Sequence, residues 1–177
     1  MTDRLPELLV PAGSPEALAA AIEGGADAVY FGAVRFSARM RARNFEENEL
    51  ADAIALCRAH GVKSYITVNT RLRDGEIAPL LDTVSILNGA GADALIIADL
   101  GAAARIREMF PDLPLHASTQ LSGVSAADAA ALRDLGFSRM VCPRELSAGQ
   151  IADLCAKSPL EIEMFIHGAH CVSFSGQ

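Results

Sequence analysis

The sequence predicts an α/β fold of repeated βα units in a TIM-barrel-like arrangement. Short, continuous apolar runs alternate with amphipathic segments along the 177 residues, and such runs are typical of strands covered on both faces in a parallel sheet. The tetrapeptide Gly-Ala-Asp-Ala opens two of these runs, at residues 25–28 and 91–94. No G-x-G-x-x-G pattern follows the first strand, which argues against a dinucleotide-binding sheet.

Seven strands are predicted along the chain. In order, they are Leu8–Ala12, Ala28–Ala33, Ser64–Asn69, Ala94–Asp99, Leu115–Thr119, Arg139–Pro143 and Glu161–His167. Because a complete eight-unit barrel takes about 250 residues, we expect one incomplete domain, residues 1–177, with about seven units and truncated before the last. Open edge strands invite pairing with another chain, so we also expect this fragment to self-associate.

Helix start and stop signals lie between the predicted strands. The expected N-terminal signals are Ser14 with Pro15, Asn44 with Glu47, Ser125 with Asp128, Ser147 with Gln150, and the single residues Asp74 and Asp99. The first is an N-cap followed by proline at the first helical position, and the next three pairs have capping-box spacing. Gly25, Gly91 and Gly136 each precede a strand, where glycine supplies a left-handed exit from the preceding helix.

Composition excludes several classes of protein. With 51% hydrophobic residues, the chain can bury enough apolar surface to fold, which excludes disorder. No apolar run approaches the ~20 residues that a bilayer requires, and the N-terminus lacks a secretory pattern, so we expect no membrane partner. A net charge of −7 with no Trp and two Tyr argues against a basic protein that coats nucleic acid or stacks its bases.

Function in a βα barrel lies where strands run into the following helices. Seven of the 15 basic residues are predicted at this face: Arg35, Arg39, Arg41, Arg43, Arg71, Arg73 and Arg144. Arginine forks bind both oxygens of a carboxylate or phosphate, so an anion site is one interpretation, with Glu145 beside Arg144. A solvated charged loop is the other. Asn69 and Asp99 end strands at this face, where each also fits a strand terminus or helix cap.

Four polar side chains interrupt the fifth strand, namely His116, Ser118, Thr119 and Gln120. Buried polar groups cost about 1–3 kcal/mol each without partners. A structural hydrogen-bond network would satisfy them, but we favour a pocket for a substrate or cofactor, in which His116 is also a candidate catalytic residue.

The four cysteines are expected to be thiols or metal ligands rather than disulfides. Cys57 and Cys155 follow apolar helix positions and are predicted to be small buried hydrophobic residues. Cys142 lies within the sixth strand and has two possible orientations. Cys171 differs, because it follows His167 and His170 at the predicted site face. It fits a nucleophilic thiol with a histidine base, a metal or cluster ligand, or a buried thiol.

At these residues the sequence resembles the U32 peptidase family, the collagenase-like proteases, over essentially its whole length. The matching segments are residues 7–14 (ELLVPAGS), 25–32 (GADAVYFG), 118–120 (STQ), 144–146 (REL) and 163–169 (EMFIHGA) with Cys171. The resemblance implies a TIM-barrel-like catalytic domain in a cytoplasmic bacterial protein. Several family members are iron–sulfur proteins that support hydroxylation of tRNA bases, ribosomal RNA bases or ubiquinone precursors, in some cases with prephenate.

The resemblance also implies a 4Fe-4S cluster in a full-length protein, with Cys171 matching the first of four cysteine ligands. The second ligand in the family directly follows the Ser-Gly-Gln that here ends at Gln177, so we expect no cluster in this fragment. Prephenate, a dicarboxylate, or RNA is then the expected partner. Asn69, Arg71 and Arg144 with Glu145, together with the segment Ser118–Gln120, are the expected anion-binding residues.

Two other functions stay open. The family name records proteolysis, although the sequence has neither an H-E-x-x-H zinc motif nor a G-x-S-x-G elbow. A peptidase would therefore use Cys171 with His167 or His170, or an undeclared metal. The third possibility is an inactive fragment that folds and self-associates.

Overall fold

The computed structural model describes residues 5–33, 35–38, 44–168, 173 and 175. The strands are β1 (Leu9–Pro11), β2 (Ala28–Gly32), β3 (Lys63–Val68), β4 (Ala94–Ile97), β5 (Leu115–Ala117), β6 (Arg139–Val141) and β7 (Glu161–Glu163). The helices are α1 (Pro15–Glu23), α2 (Glu47–Ala59), α3 (Asp74–Ala90), α4 (Leu100–Met109), α5 (Ala126–Asp134) and α6 (Ala148–Lys157). A 3₁₀ turn spans Thr119–Leu121. None of the helices found in these ranges has the length and hydropathy needed to cross a bilayer.

The predicted fold class is confirmed by the order of the strands. The seven strands form one sheet in the order β1-β2-β3-β4-β5-β6-β7, and β1 pairs in parallel with β2, β2 with β3, β5 with β6, and β6 with β7. A doubly wound nucleotide-binding sheet reverses its strand order at a switch point. Sequential parallel order with intervening helices is instead the arrangement of a TIM-barrel-like βα domain.

The chain divides into two compact units. The first contains residues 1–68 and 74–95, and the second contains residues 69–73 and 96–177. In the first unit, the Phe45 ring packs against Phe31 with ring centroids 4.9 Å apart, and Leu18, Ile54 and Ile66 are fully buried. This packing joins the helices of the first unit to its strands.

The core of the second unit is built from Ile97, Ile106, Leu115 and Met140, all fully buried. Beside it, the largely buried guanidinium of Arg139 donates to Glu161 at 2.8 Å and reaches Glu163 at 3.4 Å. The charged strand β7 is thereby fixed on β6 by both ion pairs and backbone pairing.

The repeated Gly-Ala-Asp segment has a structural role before the two strands that it precedes, β2 and β4. Gly25 and Gly91 have φ of 84°, the left-handed conformation that suits glycine. Two residues later, the amide of Asp27 donates to the Leu8 carbonyl, and the amide of Asp93 donates to that of Ser64, both at 3.0 Å. The carboxylates then accept the Leu8 amide at 2.7 Å and the Ser64 amide at 2.8 Å. Each segment thus sets the register with the preceding strand.

The third copy uses a serine in place of the aspartate. Gly136 has φ of 89°, and the Ser138 amide donates to the Leu115 carbonyl at 2.9 Å. The Ser138 hydroxyl donates to the same carbonyl at 3.2 Å. The predicted glycine exits are therefore confirmed in both units.

Most of the predicted helix caps are confirmed. Ser14, Ser125, Ser147 and Asp99 each accept a backbone amide at the start of their helix. The prediction of a capping box at Asn44 and Glu47 is wrong. The capping box of α2 lies two residues later, where the Glu46 amide donates to Glu49 Oε2 at 2.9 Å. Asp74 was expected to be a cap, but it is the first residue of α3 and lies in the first turn of the helix.

The seventh strand is shorter than predicted. It ends at Glu163 rather than His167, and the following residues, Met164, Phe165 and Ile166, expose 46%, 57% and 80% of their surface. Sequence hydropathy predicted a continuous strand because these residues are apolar. In the described part of the chain, β7 pairs only with β6, so this apolar run has no second strand to cover it.

We expect Gly25→Ala to lower the free energy of unfolding by about 1–2 kcal/mol, since alanine is strained at positive φ. Gly89→Ala in α3 is the matched control. Both glycines have open space around the position of an added Cβ, but only Gly25 has positive φ. The control should stabilise by about 0.5–1 kcal/mol through helix propensity. Urea denaturation measures both, and equal effects would contradict the role assigned to the left-handed exit.

Candidate functional site at the strand ends of the second unit

Asp99 joins the end of β4 to the segment at residues 69–73. Its Oδ1 atom accepts the Ala102 amide at 2.9 Å, which caps α4. Its Oδ2 atom accepts the Leu72 amide at 3.1 Å. The cap expected from the sequence is present, and the second hydrogen bond makes the same carboxylate an anchor for the arginine-bearing segment.

Asn69 and Ser118 form the second connection within this unit. Asn69 Nδ2 donates to Ser118 Oγ at 3.3 Å, and the buried Ser118 hydroxyl also accepts the Gln120 amide at 3.3 Å. The structure therefore brings two of the predicted anion-binding residues together. Ser118 is held by a hydrogen-bond network of the kind that the sequence left open as an alternative.

The other polar residues of the predicted fifth strand occupy two environments. His116 is buried within β5, at 4% exposure. The strand ends at Ala117, so Thr119 and Gln120 lie in the 3₁₀ turn, where both are half-buried. The turn ends at Ser122 with φ of 54°. The polar run thus marks the end of the strand and a turn, which leaves Thr119 and Gln120 partly accessible.

Arg144 and Glu145 hold the chain that follows β7. Arg144 Nη1 donates to the Ser173 carbonyl at 2.5 Å, and Glu145 Oε1 accepts the Ser175 amide at 2.6 Å. Ser122 Oγ donates to the Ser175 carbonyl at 2.6 Å. Sequence reasoning missed Ser122, because an exposed serine has no hydrophobic pattern and its partner is 53 residues away.

The contacts of Glu145 also change its acidity. Desolvation raises the pKa of its carboxyl. Hydrogen bonds from the Ser175 and Glu145 amides and the charge of Arg144 lower this pKa, and their combined effect is larger. The pKa of Glu145 therefore lies below its ordinary value. A carboxylate with a lowered pKa contributes its stabilisation above the unfolded pKa and loses it as the pH falls through the folded pKa. The contact with Ser175 is therefore fully formed at neutral pH.

Some of the remaining predicted site residues are described by the structure and others are not. Arg71 is exposed, and among the described residues its guanidinium makes no hydrogen bond or ion pair. His167 is also exposed, after the end of β7. His170, Cys171, Arg39, Arg41 and Arg43 lie outside the described residues. Among the described residues of this unit, Arg71 is thus the exposed arginine of the predicted anion site whose guanidinium makes no contact of this kind, whereas that of Arg144 donates to Ser173.

Two of the described cysteines are buried thiols with raised pKa values. Burial, followed by the charge of Asp93, raises the pKa of the Cys57 thiol to about 11. The pKa of the Cys142 thiol is also raised to about 11, mainly by burial and to a smaller extent by the nearby Cys155 and Glu163. Within the described ranges, no group of three or more His, Cys, Asp and Glu side chains is arranged to hold a metal ion.

Cys155 corrects one prediction. It was expected to be buried, but it is exposed on α6. Only Leu154 is buried among the residues of this helix, so the apolar face is narrower than the sequence spacing suggested. Cys57 is buried as predicted, and Cys142 is buried too, although it follows the end of β6 at Val141 rather than lying within the strand.

Fold and site together define the class of protein. Sequential parallel βα units carry polar side chains at the carboxyl ends of their strands, as in the TIM-barrel-like domains of enzymes. A family model for Peptidase family U32 matches residues 13–177. The chain belongs to this family.

Some proteins with similar sequences are named for RNA hydroxylation, and one is named a collagenase. The tRNA hydroxylation protein P of Escherichia coli K12 is 36% identical over 173 residues, which cover 97% of this chain and 38% of the relative. The 23S rRNA 5-hydroxycytidine C2501 synthase of the same organism is 40% identical over 172 residues, covering 97% and 26%. A collagenase of Porphyromonas gingivalis is 37% identical over 183 residues, covering 97% and 44%. The chain thus spans less than half the length of these relatives.

A solved structure supports the fold independently. The U32 peptidase Mk0906 superposes with a TM-score of 0.72 at 13% identity, covering 93% of this chain and 70% of that one. At this level of identity the similarity concerns the fold alone, and it agrees with the parallel βα order described above.

We expect Asp99→Ala to lower the free energy of unfolding by about 2 kcal/mol, because it removes both a helix cap and the acceptor of the Leu72 amide. Asp99→Ser should recover about half of this loss by restoring the cap. Asp134→Ala is the control, since Asp134 is exposed and pairs only with its neighbour Arg133, a surface pair worth about 0–1 kcal/mol. Equal losses in Asp99→Ala and Asp134→Ala, measured by urea denaturation, would rule out the anchoring role.

Thiol labelling tests the cysteine environments. At pH 8, iodoacetamide should modify Cys155 in the folded protein and leave Cys57 and Cys142 intact, since a pKa of about 11 leaves roughly one thiolate in a thousand and both are buried. Peptide mapping by mass spectrometry reads each cysteine separately. All three should react once the protein is unfolded in urea. Modification of Cys142 as fast as Cys155 in the folded protein would show that the assigned burial is incorrect.

Proposed function

We propose that this chain is the RNA-binding βα domain of a protein that supports hydroxylation of RNA bases. The observation that carries the proposal is the 36–40% identity, over 97% of the chain, to proteins named for tRNA hydroxylation and 23S rRNA 5-hydroxycytidine synthesis. A cytoplasmic location follows from such a substrate and is part of the same proposal.

The polar network of the second unit supports this proposal by fixing one cation. At one end of a short segment, Asn69 donates a hydrogen bond to Ser118. At the other end, the Leu72 amide donates to Asp99, which follows β4. Arg71 lies between these two attachments. A guanidinium on a fixed backbone binds two oxygens of a phosphate or carboxylate with little loss of freedom. We assign Arg71 to an anionic group of the substrate, either an RNA phosphate or a small dicarboxylate such as prephenate.

The acidic composition limits the footprint on RNA. Nonspecific binding to nucleic acid requires several neutralised phosphates, whereas this chain has a net charge of −7. We therefore propose contact with a few phosphates at arginines near the strand ends. This limited contact fits recognition of one target base better than coverage of a long duplex.

The iron–sulfur cluster remains a proposal for a longer chain. Cys171, which the family resemblance matches to the first cluster ligand, lies outside the described residues. We propose Cys171 as one ligand where further cysteines are present, and no iron in the 177-residue chain alone.

Proteolysis is the competing activity, favoured by the collagenase relative at 37% identity. In the described residues, neither buried cysteine has the lowered pKa of a nucleophilic thiol. A peptidase would therefore depend on Cys171 with a histidine outside the network described above.

A chimera tests the proposed function. This chain replaces the matching segment of the Escherichia coli tRNA hydroxylation protein P in a strain that lacks the native protein, and mass spectrometry of tRNA nucleosides measures the added oxygen. We expect hydroxylation to be restored, and Arg71→Gln to reduce it about tenfold through loss of a charge-assisted contact. Arg105→Gln is the matched control, because Arg105 is exposed on α4 and pairs with Glu108.

Two other readouts separate the competing functions. Iron and acid-labile sulfide should be present in the purified chimera and reduced in its Cys171→Ala variant. A stable, folded chimera without hydroxylation that degrades gelatin would overturn the RNA proposal and favour the peptidase.

A further inference from the structure

A strained aromatic residue lies in the loop that follows β2. Phe36 has φ of 64°, in the left-handed region that bulky residues avoid. Holding a residue in this region costs about 1–3 kcal/mol and persists only where surrounding contacts impose it. The ring is nevertheless buried, at 5% exposure, so the loop conformation is imposed by packing within the first unit.

Two buried hydroxyls hold the residue after Phe36. Ser37 Oγ and Thr67 Oγ1 form a hydrogen bond at 3.1 Å, and the threonine hydroxyl is also within 3.4 Å of the Phe31 carbonyl. Gly32, at the end of β2, makes room for this pair. A Cβ at Gly32 would lie 2.6 Å from each hydroxyl oxygen, which is too close for any side chain. Gly32 and the hydrogen-bonded pair Ser37 and Thr67 thus together hold the loop in this conformation.

Arg35 immediately precedes Phe36 in the same loop. Its guanidinium carbon lies 4.9 Å from the centroid of the Phe36 ring, a cation–π arrangement. Arg35 is exposed, and among the described residues its nitrogen atoms make no hydrogen bond or ion pair. The ring therefore covers one face of the guanidinium, and no group in the described part of the chain occupies its N–H donors.

We propose that Arg35 binds a backbone phosphate of the substrate RNA, and that Ser37 and Thr67 are positioning residues for it. This inference rests on the proposed function and names a contact in the first unit. A planar guanidinium with a fixed orientation suits the paired oxygens of a phosphate. A small anion would require an enclosing pocket, whereas a phosphate of a polymer is held at an exposed side chain by its neighbours along the strand.

The first test measures binding of fluorescein-labelled tRNA transcript to the 177-residue chain by anisotropy, from low to physiological salt. Arg35→Gln should weaken binding about tenfold at low salt and reduce the magnitude of the slope of log K against log salt by about 0.7–1, the value of one phosphate contact. Arg105→Gln is the charge-matched control and should leave both quantities unchanged.

The second test examines positioning. Thr67→Val removes the hydroxyl with little change of volume, and should approach the affinity and salt slope of Arg35→Gln. Thr67→Ser retains the hydroxyl and should restore both. In an Arg35→Gln background, Thr67→Val should have no further effect on RNA affinity, although it lowers the melting temperature in either background. A purely structural role would lower the melting temperature and leave the salt slope of the single variant unchanged.

The outcomes are distinguishable. If the wild-type chain binds tRNA and Arg35→Gln binds equally well with the same slope, the phosphate contact is overturned and the proposed function stands. If Arg35→Gln weakens binding but Thr67→Val does not, only the positioning role is overturned. If the wild-type chain binds no tRNA at low salt, the RNA-binding role fails together with this inference.

Discussion

The register of the parallel strands is the constraint on which the rest of the molecule depends. A left-handed glycine ends a helix, and two residues later a backbone amide bonds to the preceding strand. The side chain at this position, Asp27, Asp93 or Ser138, adds a further bond to the same strand. Because a slip of one residue would move every side chain to the opposite face, these contacts also determine which residues reach the carboxyl ends of the strands.

Each unit has hydrogen-bonded polar groups at those ends, close in sequence to an exposed arginine. In the second unit, Asp99 and Ser118 hold the backbone and side chain of the segment that contains Arg71. In the first, the Ser37–Thr67 pair holds the loop that contains Arg35. Such groups would be costly if unpaired. Among the described residues, the guanidinium groups of Arg71 and Arg35 themselves make no hydrogen bond or ion pair.

Local sequence signals predicted the parts of the fold that depend on local physics. Seven apolar runs became seven strands, and Ser14, Ser125 and Ser147 cap helices because capping involves residues three positions apart. The contacts of Arg144 with Ser173 and of Ser122 with Ser175 connect distant parts of the chain, and no local pattern encodes them. The seventh strand was predicted too long and Cys155 too buried, because hydropathy does not tell whether a neighbouring element covers an apolar residue.

The space at Gly32 has a consequence for sequence variation. A Cβ at position 32 would lie 2.6 Å from both hydroxyl oxygens and 2.9 Å from the Cβ of Ser37, so a larger residue at 32 requires changes at both positions 37 and 67. The three positions are therefore expected to change together during evolution, although they are separated by up to 35 residues in the chain.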